Sequence, residues 1–220
     1  MSIIGLILAR GGSKGIPGKN LKKLCGKSLV FRCAENAIKS NLDKVYVYSD
    51  SEEILDEGRT AGALPIHRPE DVSGDVVTSE DTVIRFMKDM EMDHGADVML
   101  IQCTTPFLKT SHIDAGIAAF EADDEFDSVI SATACHRYLG YRNRPGNWIP
   151  VFPYRWLRQE QDPLYYMENG GFYLSKNACW REGQRIGRKC GVVLMDWWES
   201  LEIDEPDDLM IADHIAKLFV

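Results

Sequence analysis

Short apolar segments of strand length alternate with segments of helical periodicity along most of this 220-residue chain. Such alternation is typical of parallel strands joined by crossover helices, so it predicts an α/β fold with a single doubly wound, mostly parallel sheet. The length suits one domain over residues 1–220. The predicted strands are 3–9, 44–48, 64–67, 98–102, 128–133, 171–174 and 192–195, and the predicted helices are 28–39, 52–61, 80–92, 111–121 and 206–218.

A loop rich in glycine and cations follows the first predicted strand. It reads Ala-Arg-Gly-Gly-Ser-Lys-Gly-Ile-Pro-Gly-Lys-Asn over residues 9–20. Glycine allows backbone N–H groups to approach an anion closely, and Arg10, Lys14 and Lys19 add positive charge. We therefore predict that the loop binds a triphosphate. Its first turn consists of Gly11, Gly12 and Ser13.

The spacing of this loop differs from two better-known phosphate motifs. A P-loop requires Ser or Thr after its Gly-Lys pair, but Asn20 follows Gly18 and Lys19. A dinucleotide fingerprint requires G-x-G-x-x-G, which the run from Gly11 to Ser13 interrupts. A dehydrogenase is compatible with the fold class but is disfavoured by the loop.

The composition indicates which kind of ligand the protein binds and where in the cell it is located. A net charge of −9 argues against a nucleic-acid surface and makes the cationic loop a local exception, which favours a small anionic ligand. We expect a cytoplasmic protein without a membrane partner, because the N-terminus is itself a predicted strand and no apolar stretch reaches membrane-spanning length. The six cysteines lack C-x-x-C pairs and the five histidines lack zinc spacing, so we expect reduced thiols and no zinc site.

The loop resembles the signature of the acylneuraminate cytidylyltransferases, from Ala9 to Pro17 and again at Lys19 and Asn20. Similar segments follow in order at 48–50, 67–69, Asp75 with Thr78 and Ser79, 102–106, 168–170 and 200–204. The resemblance implies a Rossmann-like nucleotidyltransferase fold. It also implies an enzyme that transfers CMP from CTP to an acidic nonulosonic sugar, such as sialic acid, legionaminate or pseudaminate, and releases pyrophosphate.

The same resemblance implies roles for individual residues. Arg10 and Lys14 would contact the triphosphate, and Lys19 would lie near the α-phosphate and stabilise the transition state. Gln102 would reach the acceptor sugar, and Asn169 would lie where the acceptor binds. The implied cytosine pocket consists of Asn20, Arg68, Thr78 and Ser79.

Glu202 and Asp204 are the candidate ligands for Mg²⁺ or Mn²⁺. Their i, i+2 spacing places both carboxylates on one face of an extended segment, and Mg²⁺ takes one or two carboxylates together with water and phosphate oxygens. Asp204, also a predicted catalytic residue, matches the family pattern Ser-[IV]-Asp-[IV]-Asp, whereas Glu202 is one methylene longer, which leaves direct or water-mediated coordination open. The base for the acceptor hydroxyl stays open among metal-bound hydroxide, a carboxylate such as Asp204, and water. The neighbouring acids are predicted as helix-start charges: Glu205, Asp207 and Asp208.

Residues 136–166 interrupt the alternating pattern with eight aromatic residues and four prolines. A long loop over its own core and an interface arm both explain this composition. The resemblance favours an inserted dimerisation arm that covers the acceptor, and hence a homodimer. The family's arginine element for the sugar carboxylate is displaced here, at residues 158–161. The acceptor therefore stays open, with a phosphonate cytidylyltransferase and a catalytically silent nucleotide-binding subunit as alternatives.

Overall fold

The computed structural model describes residues 2–74, 76–92, 95–151, 154, 157 and 165–219. Their strands are β1 (Ser2–Leu8), β2 (Lys23–Leu24), β3 (Lys27–Ser28), β4 (Lys44–Ser49), β5 (Leu64–His67), β6 (Ala96–Ile101), β7 (Ser128–Cys135), β8 (Gly140–Arg144), β9 (Asn147–Pro150), β10 (Tyr165–Ser175) and β11 (Cys190–Leu194). The α-helices are α1 (Leu29–Ile38), α2 (Glu52–Thr60), α3 (Ser79–Asp89), α4 (Thr110–Ala122), α5 (Asn177–Arg181) and α6 (Pro206–Phe219). Short 3₁₀ helices span Lys19–Leu21 and Glu70–Val72.

Seven strands form the central sheet, in the order β11-β7-β10-β6-β1-β4-β5. β10 runs antiparallel to both of its neighbours, and the other pairs are parallel. The predicted α/β class with a mostly parallel sheet is confirmed. Because β4 and β6 flank β1 on opposite sides, the order reverses beside β1, where ligands of such sheets bind at the carboxyl ends of the strands.

The central strands are buried on both faces, which explains their uninterrupted apolar sequences. In β1, Ile3 and Ile7 pack with the cluster that includes α1, α2, α4 and α6, while Ile4 and Leu6 pack with α3 and α5 on the opposite face. The two helical layers therefore fix β1 in register, and with it the position of the loop that follows. No helix among the described residues has both the length and the apolar character needed to cross a lipid bilayer.

β10 differs most from the sequence expectation. The apolar run predicted a short strand over 171–174, but β10 already begins at Tyr165, inside the segment predicted as the arm. Gly170, with φ of 66°, lies within a register shift between Glu168 and Tyr173. The Asn169-Gly170 pair, a dipeptide common in turns, therefore forms a bulge in a continuous strand, because glycine accepts the positive φ without a steric penalty.

The described part of the predicted arm contains a two-stranded antiparallel sheet. β8 and β9 pair on either side of Gly146, whose φ is 84°. Arm residues 152, 153, 155, 156 and 158–164, which include the displaced arginine element at 158–161, lie outside the described residues, as does Asp75. The role of this segment in dimerisation stays a prediction.

Candidate active site

A cleft of about 290 Å³ opens at the carboxyl ends of β1 and β6. Its walls come from the loop after β1, the residue after β5, the N-terminus of α3 and the segment after β6. Nine residues predicted from the sequence line it: Arg10, Gly12, Ser13, Lys19, Asn20, Arg68, Thr78, Ser79 and Gln102. The sheet topology thus brings together residues that are separated by up to about ninety positions in the sequence.

The loop after β1 is held in place through its own backbone. Gly11 donates its N–H to Asp50 Oδ1 at 2.7 Å, which ties the first turn to the end of β4. The Asn20 side-chain amide donates to the Arg10 carbonyl oxygen at 3.0 Å and closes the loop at its far end. A Cβ atom on Gly12 would meet no atom within 4 Å, so this part of the loop faces open space. Lys14 is exposed.

Lys19 joins this loop to the predicted metal ligands. Its ammonium donates to the Ile203 carbonyl oxygen at 2.9 Å and to Asp204 Oδ1 at 3.1 Å. Gly15 makes a second contact, because a Cβ atom there would lie 2.6 Å from the Asp204 carbonyl oxygen. The loop and the segment 202–204 therefore form one packed unit.

The two carboxylates differ in their surroundings. Asp204 is 64 % exposed, whereas Glu202 is partly buried and accepts a hydrogen bond from Thr104 Oγ1 at 3.2 Å. Burial, and then the neighbouring charge of Asp204, raises the pKa of Glu202, although Thr104 and Lys19 act in the opposite direction. Two adjacent oxygen donors whose charges repel each other suit a hard divalent cation such as Mg²⁺ or Mn²⁺. Among the described residues, no group of three His, Cys, Asp or Glu side chains could hold a metal ion.

Gln102 and Glu202 meet at the bulge in β10. A Cβ atom on Gly170 would lie 2.6 Å from Glu202 Oε1 and 3.1 Å from Gln102 Oε1, so only glycine leaves room for both side chains. Asn169 lies beneath them with its side chain buried, accepting from Ser131 Oγ at 2.6 Å and donating to Ser200 Oγ at 2.9 Å. These bonds give Asn169 a positioning role, and its contact with an acceptor stays a prediction.

Helix α3 begins at the edge of the cleft with a side-chain cap. Thr78 Oγ1 accepts a hydrogen bond from the Asp81 backbone N–H at 3.0 Å, and Ser79 is the first helical residue. Arg68 lies opposite, where burial lowers the pKa of its guanidinium below the ordinary value. It donates to Thr82 Oγ1 on α3 at 3.0 Å. Thr82, absent from the sequence prediction, also lines the cleft.

A buried charge cluster anchors the segment that leads to the carboxylates. The Glu199 side chain is 5 % exposed, accepts a hydrogen bond from Lys109 Nζ and lies 3.3 Å from His112 Nε2. No role was assigned to any of these three residues from the sequence. No local motif marks this cluster, because its members are brought together by the packing of residues 196–199 against the start of α4.

The acidic residues after Asp204 begin the last helix. Asp208 Oδ2 accepts hydrogen bonds from the backbone N–H groups of Asp204 at 3.0 Å and Glu205 at 2.8 Å. A carboxylate in the first turn satisfies free helix donors and complements the helix dipole. The prediction that Asp208 is a helix-start charge is confirmed.

Residues 4–179 match the family described as Cytidylyltransferase. The chain belongs to the cytidylyltransferase family. Among the curated relatives of this chain, N-acylneuraminate cytidylyltransferase B of Danio rerio is 33% identical over 97% of the chain, and N-acylneuraminate cytidylyltransferase of Streptococcus agalactiae serotype III is 30% identical over 98%. The resemblance predicted from the loop is therefore confirmed.

The chain covers about half of the curated relatives but nearly all of two solved structures with the same fold. The chain spans about half the length of the two relatives, 51% and 54%. A solved CMP:2-keto-3-deoxy-manno-octonic acid synthetase complexed with CTP shares the fold over all of both chains, with a TM-score of 0.75 and 16% identity. The 4-diphosphocytidyl-2C-methyl-D-erythritol synthase of Anaerococcus prevotii has a TM-score of 0.68 at 14% identity, covering 98% of this chain and 96% of its own.

Proposed function

We propose that this chain transfers CMP from CTP to the hydroxyl of an acidic nonulosonic sugar and releases pyrophosphate. The observation that carries the proposal is the convergence of nine predicted nucleotide and acceptor residues in one cleft, next to the Lys19–Asp204 contact. The acceptor hydroxyl loses its proton to a carboxylate such as Asp204 or to water, and its oxygen forms a bond to the α-phosphorus. The bond from that phosphorus to the α,β-bridging oxygen breaks, and pyrophosphate leaves. Catalysis then consists mainly of alignment and charge stabilisation.

The loop after β1 binds the leaving group in this proposal. Arg10 and Lys14 neutralise the β- and γ-phosphates, and open backbone at Gly12 faces the same anion. Lys19 lies at the boundary between the loop and the carboxylates, which suits it to the α-phosphate, where negative charge develops in the transition state. Its hydrogen bond to the Ile203 carbonyl fixes the direction of the ammonium group.

Asp204 and Glu202 are the residues that would hold Mg²⁺ or Mn²⁺. Such an ion, when bound, supplies positive charge to the phosphates. The residues of the chain provide the geometry: Thr104 Oγ1 orients Glu202, while Lys19 and the close contact of Gly15 position Asp204. The exposed Asp204 is the more accessible of the two ligands.

Gln102 and the Gly170 bulge form the acceptor end of the cleft in this proposal. An acidic sugar is supported by the names of the relatives, which refer to N-acylneuraminate, and of the structural neighbour, which refers to 2-keto-3-deoxy-manno-octonic acid. Both names denote sugar acids. The identity of the sugar is left to the acceptor assay, and a cytoplasmic location stays a prediction.

A homodimer formed through the arm is part of the same proposal. Tyr141 and Trp148 on the β8–β9 hairpin are 56 % and 57 % exposed, and Val192 and Leu194 on the edge strand β11 are also exposed. Large apolar side chains on a hairpin and an edge strand favour burial against another chain. A second copy, by covering this face, would also approach the acceptor end.

The test is pyrophosphate release from the pure protein with Mg²⁺, each of the four NTPs and a panel of acceptors. The panel contains sialic acid, legionaminate, pseudaminate and a phosphonate. We expect release with CTP and an acidic sugar, and calorimetric CTP binding without acceptor. Failure to bind CTP would contradict the proposal. Pyrophosphate release with the phosphonate alone would show that the acceptor is a phosphonate and not an acidic sugar. CTP binding without turnover on any acceptor would favour the catalytically silent nucleotide-binding subunit. For variants of Asp204, the matched control is Asp207→Asn, which removes a carboxylate from the start of the following helix.

A further inference from the structure

Among the described charged residues that line the cleft, Arg68 is the most deeply buried, at 6 % exposure. Its Nε donates to the Val72 carbonyl oxygen at 2.7 Å, and Nη2 donates to the same oxygen and to Thr82 Oγ1 at 3.0 Å. No described residue accepts a hydrogen bond from Nη1. Nη1 is therefore the donor that remains for a ligand in the cleft.

Thr82 fixes the direction of that donor. Its side chain is buried on the first turns of α3, where Oγ1 donates its own proton to the Thr78 carbonyl oxygen at 2.9 Å. A hydroxyl that has donated its proton can act toward Arg68 only as an acceptor. Rotation of the guanidinium away from Thr82 and Val72 would leave buried N–H groups unpaired, which is energetically costly.

A donor of fixed direction distinguishes the two pyrimidine bases at ring nitrogen N3. In cytosine N3 is a hydrogen-bond acceptor, whereas in uracil it carries a hydrogen. A buried site that pairs with one pattern rejects the other strongly, because the mismatched polar groups stay unpaired away from water. The effect is greatest at a poorly hydrated cation, such as the guanidinium of Arg68.

We propose that Thr82 is a specificity-determining positioning residue, which holds Arg68 so that Nη1 donates to N3 of cytosine and excludes uracil. The inference rests on the proposed use of CTP and adds the reason why UTP is refused. Thr82 acts through Arg68 and does not itself contact the base in this arrangement. The Thr82 hydroxyl on α3 thus affects the choice between CTP and UTP only through its hydrogen bond from Arg68.

Three substitutions at position 82 separate the hydroxyl from the shape of the side chain. Thr82→Val keeps the shape and removes the hydroxyl, Thr82→Ser keeps the hydroxyl, and Thr82→Ala removes the hydroxyl without adding bulk. The Kd values of CTP and UTP are measured by calorimetry with Mg²⁺ and without acceptor, so that the acceptor need not be known. Thermal unfolding checks that each variant is folded, and Thr82→Ala takes the place of Thr82→Val if the latter unfolds.

We expect the wild type to prefer CTP by about a hundredfold. Thr82→Val and Thr82→Ala should reduce that ratio by about tenfold, and Thr82→Ser should keep it within about twofold. An unchanged ratio without the hydroxyl would overturn the role of Thr82, and so would an equal loss in Thr82→Ser. A wild type that binds neither nucleotide, or that binds both equally, would instead contradict the proposed use of CTP, and the specificity role with it.

Discussion

The nucleotide end and the acceptor end of the cleft are built in different ways. At the nucleotide end, the side chains of Lys19, Asn20 and Arg68 each donate a hydrogen bond to a backbone carbonyl oxygen. The arm, which we propose covers the acceptor, exposes Tyr141 and Trp148 on its hairpin, and its Arg137 lies 4.8 Å from the ring centre of Trp197 beside a second cavity of about 360 Å³. The residues proposed to bind the nucleotide are thus held by contacts within the chain, whereas the segment proposed to cover the acceptor exposes apolar side chains.

The largest expected effect tests whether the nucleotide end carries the chemistry. Lys19→Met should lower kcat with CTP by about 10²–10³-fold, because it removes a preorganised cation from the developing charge. Single-turnover pyrophosphate release measures this, with Lys22→Met, an exposed lysine of the same segment, as the matched control. A loss matched by an equal fall in thermal stability would instead assign Lys19 to packing.

The next effect compares the two carboxylates. Asp204→Asn should raise the Mg²⁺ concentration for half-maximal activity by about tenfold or more, because it removes the exposed charged ligand. Glu202→Gln should have a smaller effect, since Glu202 already accepts a hydrogen bond from Thr104. Titration of activity and of Mn²⁺ binding gives both values. Equal behaviour of Asp204→Asn and the Asp207→Asn control would remove Asp204 from the metal site.

The acceptor end is tested through association. Trp148→Ser, with Tyr141→Ser as a second variant, should weaken dimerisation by about tenfold or more, because exposed aromatic residues are frequent interface hot spots. CTP affinity should stay within about twofold, because neither residue lines the nucleotide cleft. Sedimentation equilibrium measures the dissociation constant. A monomeric wild type, or a variant that dimerises normally, would count against the arm as the interface.

The smallest expected effect concerns the charge cluster of Lys109, His112 and Glu199. Burial lowers the pKa of His112 below its ordinary 6.5, so between the two pKa values the unfolded chain binds more protons than the folded chain. Stability should therefore fall by a few degrees in Tm as the pH falls through 6.5. Glu199 affects stability at lower pH. Burial acts to raise its pKa, but the hydrogen bond from Lys109 lowers the pKa overall, below the ordinary 4.5. The stabilisation from the ionised Glu199 is therefore lost only as the pH falls below 4.5.

Thermal melts of the wild type and of His112→Gln between pH 7.5 and 5.5 provide the measurement. The variant should show a flatter dependence in this window, because the group that takes up the proton on unfolding is gone. An equally steep curve for both proteins would show that another group governs stability there.

The sequence predicted most of the nucleotide end because its residues lie in short contiguous segments at strand ends. The contacts it missed join residues that are distant in the sequence: Asp50 is 39 positions from Gly11, Thr82 is 14 from Arg68, and Glu199 is 90 from Lys109. Such pairs depend on the order of strands in the sheet, which local patterns do not encode. The Asn169-Gly170 pair illustrates the same limit, since its composition fits a turn and a bulge equally well.

β10 consists of two halves that pair with different strands. Before the bulge, Tyr165–Glu168 pair only with β7, and after it Phe172–Ser175 pair with β6 in the centre of the sheet. The first half can therefore accept insertions or exchanges that reshape the acceptor end, while the second half keeps its central pairing with β6. A chimera that replaces the chain from 136 to 168 with the corresponding segment of a relative offers a direct way to change the acceptor and keep CTP as the donor.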